Sequence, residues 1–163
     1  MKGRAWVYFA LGAGLLLLGG KKAVDLKAAN DNEKKYAPLI AAAENEHGIP
    51  AGVLHRLLKQ ESHFRTDIIT GATRSPVGAL GIAQFMPATA KDEGINPLDP
   101  VASINGAGRY LAKLYQSTGS WQKAVAAYNW GVGNVKKKVT AYGSNWLAYA
   151  PTETKNYVAT IIG

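Results

Sequence analysis

The sequence contains no cysteine. This excludes disulfides, thiolate metal ligands, a cysteine nucleophile and a lipoprotein attachment point. It leaves the compartment open, since many exported chains lack cysteine. No stretch of useful length alternates apolar and polar residues, so strands are not expected. There is no phosphate-binding loop, no dinucleotide fingerprint and no repeat of fixed period. His47, His55 and His63 are not spaced to build a metal site, so no metal and no cofactor is expected.

Acidic residues are scarce: eleven Asp and Glu face nineteen Lys and Arg, a net charge of +8. Such a chain suits an anionic partner, whether nucleic acid, a membrane surface or an acidic wall polymer. Lysines that merely keep the protein soluble are the plainer reading. The excess is spread along the chain apart from Lys21-Lys22, Lys34-Lys35 and Lys136-Lys137-Lys138. At 163 residues and 47% apolar, the chain has room for one domain with a real core and an appendage at most.

Residues 5–20 read AWVYFALGAGLLLLGG, without charge, between Lys2 and Arg4 on one side and Lys21 and Lys22 on the other. Sixteen helical residues span about 24 Å, less than the roughly 30 Å hydrocarbon core. Flanking Lys and Arg can snorkel, and Trp6 and Tyr8 suit an interface. A cleaved signal peptide and a buried core helix are the alternatives. No small-x-small pair follows the apolar run without an intruding Lys, which favours an uncleaved anchor. Residues 1–22 are therefore read as a membrane anchor or signal segment, 23–32 as a linker and 33–163 as the folded domain.

Helical periodicity dominates the rest. Asn30, Asp31 and Asn32 are N-cap types ahead of a helix over 33–47. The next helix starts near Ala51 and lines up Val53, Leu54, Leu57, Leu58 and Glu61 on one face. A carboxylate continuing an apolar stripe is either paired or partly desolvated with a raised pKa. Residues 64–76 read as irregular, and 79–85 as a short helix. Pro87 opens another helix. Asp99-Pro100 starts a long one with Ile104, Leu111, Leu114 and Tyr115 inward. Further helices are expected over 121–129, with Ser120 as cap, over 134–140 and from Thr152 onward. The fold class is all-α.

Four segments carry the chemistry: Gln60-Glu61-Ser62-His63-Phe64, the stretch from Arg74 through Gly81-Ile82-Ala83-Gln84 to Pro87, Ala127-Tyr128-Asn129-Trp130-Gly131, and Pro151-Thr152-Glu153-Thr154-Lys155-Asn156-Tyr157-Val158. In this order they resemble the soluble lytic transglycosylases, relatives of goose-type lysozyme, over about residues 36–162. The resemblance implies a lysozyme-like helical domain with a substrate cleft, preceded here by the N-terminal hydrophobic helix. It implies Glu61 as catalytic acid and base, with Ser75 beside it. It makes Gln84 a sugar-binding residue of the cleft and puts Tyr128 and Asn129 in its lining. Glu153 would be a supporting carboxylate and Tyr157 a phenol close to Glu61. Where the family often has Gly-Leu-Met-Gln, this chain has Gly81-Ile82-Ala83-Gln84, which removes a substrate-facing Met. The stretch 64–75 is also longer than usual.

Most glycosidases flank the scissile bond with two carboxylates. Asp67, Asp92, Glu93 and Asp99 fall in loops or at helix ends, and no second catalytic acid stands out. The resemblance implies that the substrate completes the chemistry. The 2-acetamido group of N-acetylmuramic acid attacks its own C1, and the C6 hydroxyl then closes on C1 to leave a 1,6-anhydro end. A hydrolytic muramidase on the same fold and a silent wall-binding protein are the competing functions. The partners implied are peptidoglycan glycan strands and, through the N-terminal segment, a membrane, without nucleic acid. The location implied is the periplasmic side of the bacterial envelope, anchored in the inner membrane. The small size and basic anchor also fit a phage particle or a secretion machine.

Overall fold

Helix-forming Lys, Ala, Leu and Glu crowd the start of the region that the computed structural model describes, residues 19–163, and one long helix runs through them, α1 (Gly19–Glu46). Residues 23–32 are thus helical, where a linker and a helix start near 33 were expected. The N-cap types found other work. Asp31 pairs with Lys27 one turn back at 3.1 Å. The Asn32 amide donates to Phe64 O and to Thr66 Oγ1, both at 3.0 Å. Ala29, Tyr36, Ile40 and Ala43 form the buried stripe, while Val24 and Leu26 are exposed. Residues 1–18 of the expected anchor lie outside the described residues. Among the described residues no helix is long and apolar enough to cross a membrane.

The second helix, α2 (Val53–Ser62), buries Val53, Leu54, Leu57 and Leu58 as their spacing predicts. Each fully buried Leu contributes on the order of 1.5–3 kcal/mol. Its first residues have no side-chain cap of their own, because the N-cap is Gly52. Buried Glu44 of α1 supplies one: its carboxylate accepts from Gly52 N at 2.8 Å and His55 N at 3.2 Å. Negative charge is favourable at a helix start. Glu33 adds a second link, accepting from Lys59 at 3.0 Å and lying 3.1 Å from His55 Nε2.

A single turn, α3 (Thr66–Ile69), follows, and then irregular chain up to α4 (Pro87–Asp92). The short helix expected at 79–85 is absent. Leu80 and Phe85 exchange backbone hydrogen bonds of 3.0 Å and close a tight turn. The apolar run had suggested a helix, but Gly81 takes φ +73°, and a Cβ on it would lie 1.7 Å from Pro97 O. Only glycine fits there.

Asp99 caps α5 (Pro100–Thr118), accepting from Val101 N at 2.9 Å and Ala102 N at 3.2 Å. Ile104, Leu111 and Leu114 are buried as expected. Tyr115 is not. It is 37% exposed and stacks on Trp121, ring centroids 4.2 Å apart. Ser120 caps α6 (Trp121–Trp130) through Lys123 N. After Gly131 comes α7 (Val132–Tyr142), which starts two residues ahead of the helix expected over 134–140 and takes in Gly133. A 3-10 segment (Gly143–Tyr149) and α8 (Thr152–Ile162) complete the chain. Among the described residues there is no strand beyond the isolated Leu80–Phe85 bridge. The chain divides into two compact units, one ending at Gly108 and one taking residues 109–163, with the boundary inside α5.

Candidate active site

Glu61 sits in the last turn of α2, half-buried, one turn beyond the apolar Leu54-Leu57-Leu58 stripe. The chain turns sharply just after it. Ser62 is fully buried, donates its hydroxyl to Leu58 O at 3.0 Å and accepts from Phe64 N at 3.2 Å. His63 and Phe64 then take φ +48° and +54°, a region that L side chains enter at a cost of about 1–3 kcal/mol each. Phe64 has no exposed surface. Burial of its ring holds the left-handed backbone in place and ends the helix directly behind Glu61.

Gln84 has φ +47°. With His63 and Phe64 it completes the set of positive-φ residues other than glycine among the described residues. All three lie in the segments that the sequence assigns to the chemistry. Its side-chain amide donates to Gly81 O at 2.9 Å, so the turn that Gly81 makes fixes the Gln84 side chain. Ala83 is fully buried. Ser75 is half-buried, and its hydroxyl accepts from Ala79 N at 2.8 Å, closing the loop that leads into that turn.

The long 64–75 stretch is knitted together by Asp67. Arg65 donates to both its oxygens, at 3.1 and 2.6 Å, Thr73 Oγ1 donates at 2.8 Å, and Thr73 N reaches Asp67 O at 2.9 Å. Burial pushes the Asp67 carboxyl up, but hydrogen bonds from Arg65 and Thr73 and the charge of Arg65 outweigh it. The group ends below the ordinary carboxylate range. Three further acids of this unit also have structural partners. Glu44 caps α2, Asp99 caps α5 and Glu33 holds Lys59 and His55.

The second unit holds the remaining candidates on a packed helix pair. Tyr128 and Asn129, both buried, lie near the end of α6. Glu153 stands in the first turn of α8, and Tyr157, 3% exposed, one turn on. The two helices are joined by a buried hydrogen bond of 2.8 Å from Thr154 Oγ1 to Asn129 Oδ1. Tyr110 meets Tyr128 edge-on at 5.6 Å. Sequence reasoning missed Thr154 and Tyr110. A buried Thr between Glu153 and Tyr157 carries no periodic signal of a partner on another helix. Glu153 is the only Asp or Glu in residues 109–163.

Comparison with known proteins places this geometry. The family described as the transglycosylase SLT domain matches residues 38–146. Peptidoglycan transglycosylase gp16 of Escherichia phage T7 is 30% identical over 137 residues, which are 78% of this chain and 10% of that protein. Membrane-bound lytic murein transglycosylase F of Stutzerimonas stutzeri is 32% identical over 111 residues, 63% of this chain and 22% of that one. The transglycosylase of Enterobacteria phage PRD1 is 34% identical over 124 residues, 76% of this chain and 40% of that one. This chain thus spans a tenth to two fifths of the length of these relatives. In structure it is similar to an inactive mutant of lytic transglycosylase Slt from Pseudomonas aeruginosa, with a TM-score of 0.65 and 24% identity over 78% of this chain and 22% of that one. The mainly helical fold is accordingly the lysozyme-like fold of the lytic transglycosylases, and the chain belongs to the transglycosylase SLT domain family.

Proposed function

We propose that this chain cleaves the β-1,4 bond between N-acetylmuramic acid and N-acetylglucosamine in peptidoglycan and leaves a 1,6-anhydromuramoyl end. The observation that carries the reading is the setting of Glu61. It stands half-buried in the last turn of a helix whose apolar face is Leu54, Leu57 and Leu58, next to the left-handed backbone of His63 and Phe64. Glu61 donates its proton to the leaving oxygen. The substrate's acetamido group captures C1 and so supplies the nucleophile that a second carboxylate gives in other glycosidases. Glu61 then accepts the proton of the C6 hydroxyl as that oxygen closes on C1, and no water is consumed. Ser75 orients the acid, Gln84 holds sugar, and Tyr128, Asn129 and Tyr157 line the site. Glu153, the only acid of its unit, is a supporting carboxylate at the start of α8.

Mass spectrometry of digested sacculi tests this directly. Anhydromuropeptides are expected; reducing ends alone would make the chain a hydrolytic muramidase.

Residues 33–163 form the catalytic domain in this reading. Residues 1–22 anchor it to the inner membrane with the domain on the periplasmic side, and 23–32 continue α1 between them. Two of the relatives are phage transglycosylases and one is described as membrane-bound, so carriage in a phage particle is the second setting. Uncleaved chain in an inner-membrane fraction supports the anchor. The same chain in purified particles supports the virion.

A further inference from the structure

The positive charge of this protein is not evenly divided. Residues 109–163 hold seven Lys and Arg and a single acid, Glu153, for +6 of the chain's +8. The even spread suggested by reading along the sequence dissolves once the two units are separated. Within this basic unit the end of α5, the first turn of α6 and the middle of α7 enclose one surface pocket of about 230 Å³. Lys123 and Lys136 line it from two different helices. Among the described residues neither has a carboxylate within ion-pair distance. An anion bound in this concavity would be attracted by the charges of both lysines. Ser117 and Thr140 add hydroxyl-bearing residues to the lining, and Val135 and Val139 add apolar ones. Thr118 also lines the pocket, but its hydroxyl donates to Leu114 O at 2.7 Å, so it offers a bound group only lone pairs.

We propose that this pocket is an anion site that takes a phosphate group. Lysine is a compact, strongly hydrated point charge, suited to a tetrahedral oxyanion, whereas a planar carboxylate is better met by the fork of an arginine, which is absent here. The phosphate of an anionic lipid headgroup and that of a soluble or polymeric phosphodiester share this chemistry. A lipid headgroup or a polymeric phosphodiester of the envelope would hold the domain there independently of its glycan substrate.

The test uses the full chain with inorganic phosphate as probe, followed by amide resonances in NMR at fixed ionic strength. Shifts are expected to cluster at 117–118, 123 and 135–140. Lys123→Gln and Lys136→Gln should each weaken phosphate binding about tenfold. Lys137→Gln removes the same charge from the neighbouring position outside the pocket and should change it less than about twofold. Shifts scattered over all the lysines, or an equal loss in Lys137→Gln, would overturn the site. Vesicles of phosphatidylglycerol with phosphatidylcholine, against phosphatidylcholine alone, then identify the source. Binding that Lys136→Gln and free phosphate both abolish assigns the lipid headgroup. Phosphate binding without vesicle binding assigns the soluble or polymeric phosphodiester.

Discussion

Glu61→Gln keeps the shape of the side chain and removes its proton chemistry. Lysis of sacculi is expected to fall by about 10²–10⁴-fold with sacculus binding retained. Lysis that survives the change would move the acid elsewhere. Asp67 works in the opposite sense, as a structural anion. Its carboxyl lies below the ordinary range in the folded chain, so its stabilising contribution is complete above the unfolded value, near 3.8, and is lost as pH falls through the folded one. Urea midpoints of wild type and Asp67→Asn should therefore differ by a constant amount at neutral pH and converge only in strong acid. A gap that closes already between pH 7 and 5 would contradict this. Thr154→Val leaves Asn129 Oδ1 buried without its donor and should cost about 1–3 kcal/mol in chemical denaturation.

At the scale of elements, the site depends on how helices and turns end. The tight turn from Leu80 to Phe85 holds Gln84 in a left-handed conformation, and Gly81 makes that turn possible against Pro97 O. Gly81→Ala faces both a disfavoured φ and a backbone collision. A loss of more than about 2 kcal/mol is expected, with lysis falling alongside it. Thermal melts and lysis assays on the same preparation check this; a variant that melts and lyses like wild type would show that the turn is not needed. Packing of α6 on α8 places Asn129 against Thr154, and α1 is tied to α2 through Glu44 and Glu33. In both pairs a polar side chain of one helix satisfies a group on the other.

At the scale of the molecule, charge is the dominant long-range feature. With +6 of +8 in residues 109–163, binding of the inactive Glu61→Gln protein to anionic sacculi should weaken steadily with salt. The screening length shrinks from about 10 Å at 0.1 M to about 3 Å at 1 M. A pelleting assay across that range measures it, and salt-independent retention would mean that glycan contacts alone hold the protein.

Much of this was legible in the chain. The 3–4 spacing of Val53, Leu54, Leu57 and Leu58 specified a helix and its buried face, because a period of 3.6 leaves no other way to gather them. Asp99-Pro100 and Ser120 marked helix starts by local hydrogen-bonding chemistry alone. The motifs around Glu61, Gln84, Tyr128 and Glu153 identified the family. What the tertiary structure decided were the places where a local signal had two uses. Asn30, Asp31 and Asn32 could have capped a helix, but distant partners at Phe64 and Thr66 held Asn32 inside one. The run from Ala79 to Phe85 could have coiled, but Gly81 takes a positive φ and turns the chain where Pro97 O leaves no room for a Cβ. Tyr115 fell on a helical stripe, yet found Trp121 at the surface. Periodicity and capping act between neighbours in sequence and can be read there. The partner of Thr154 and the meeting of Lys123 with Lys136 at one pocket arise between different helices, and only folding brings them together.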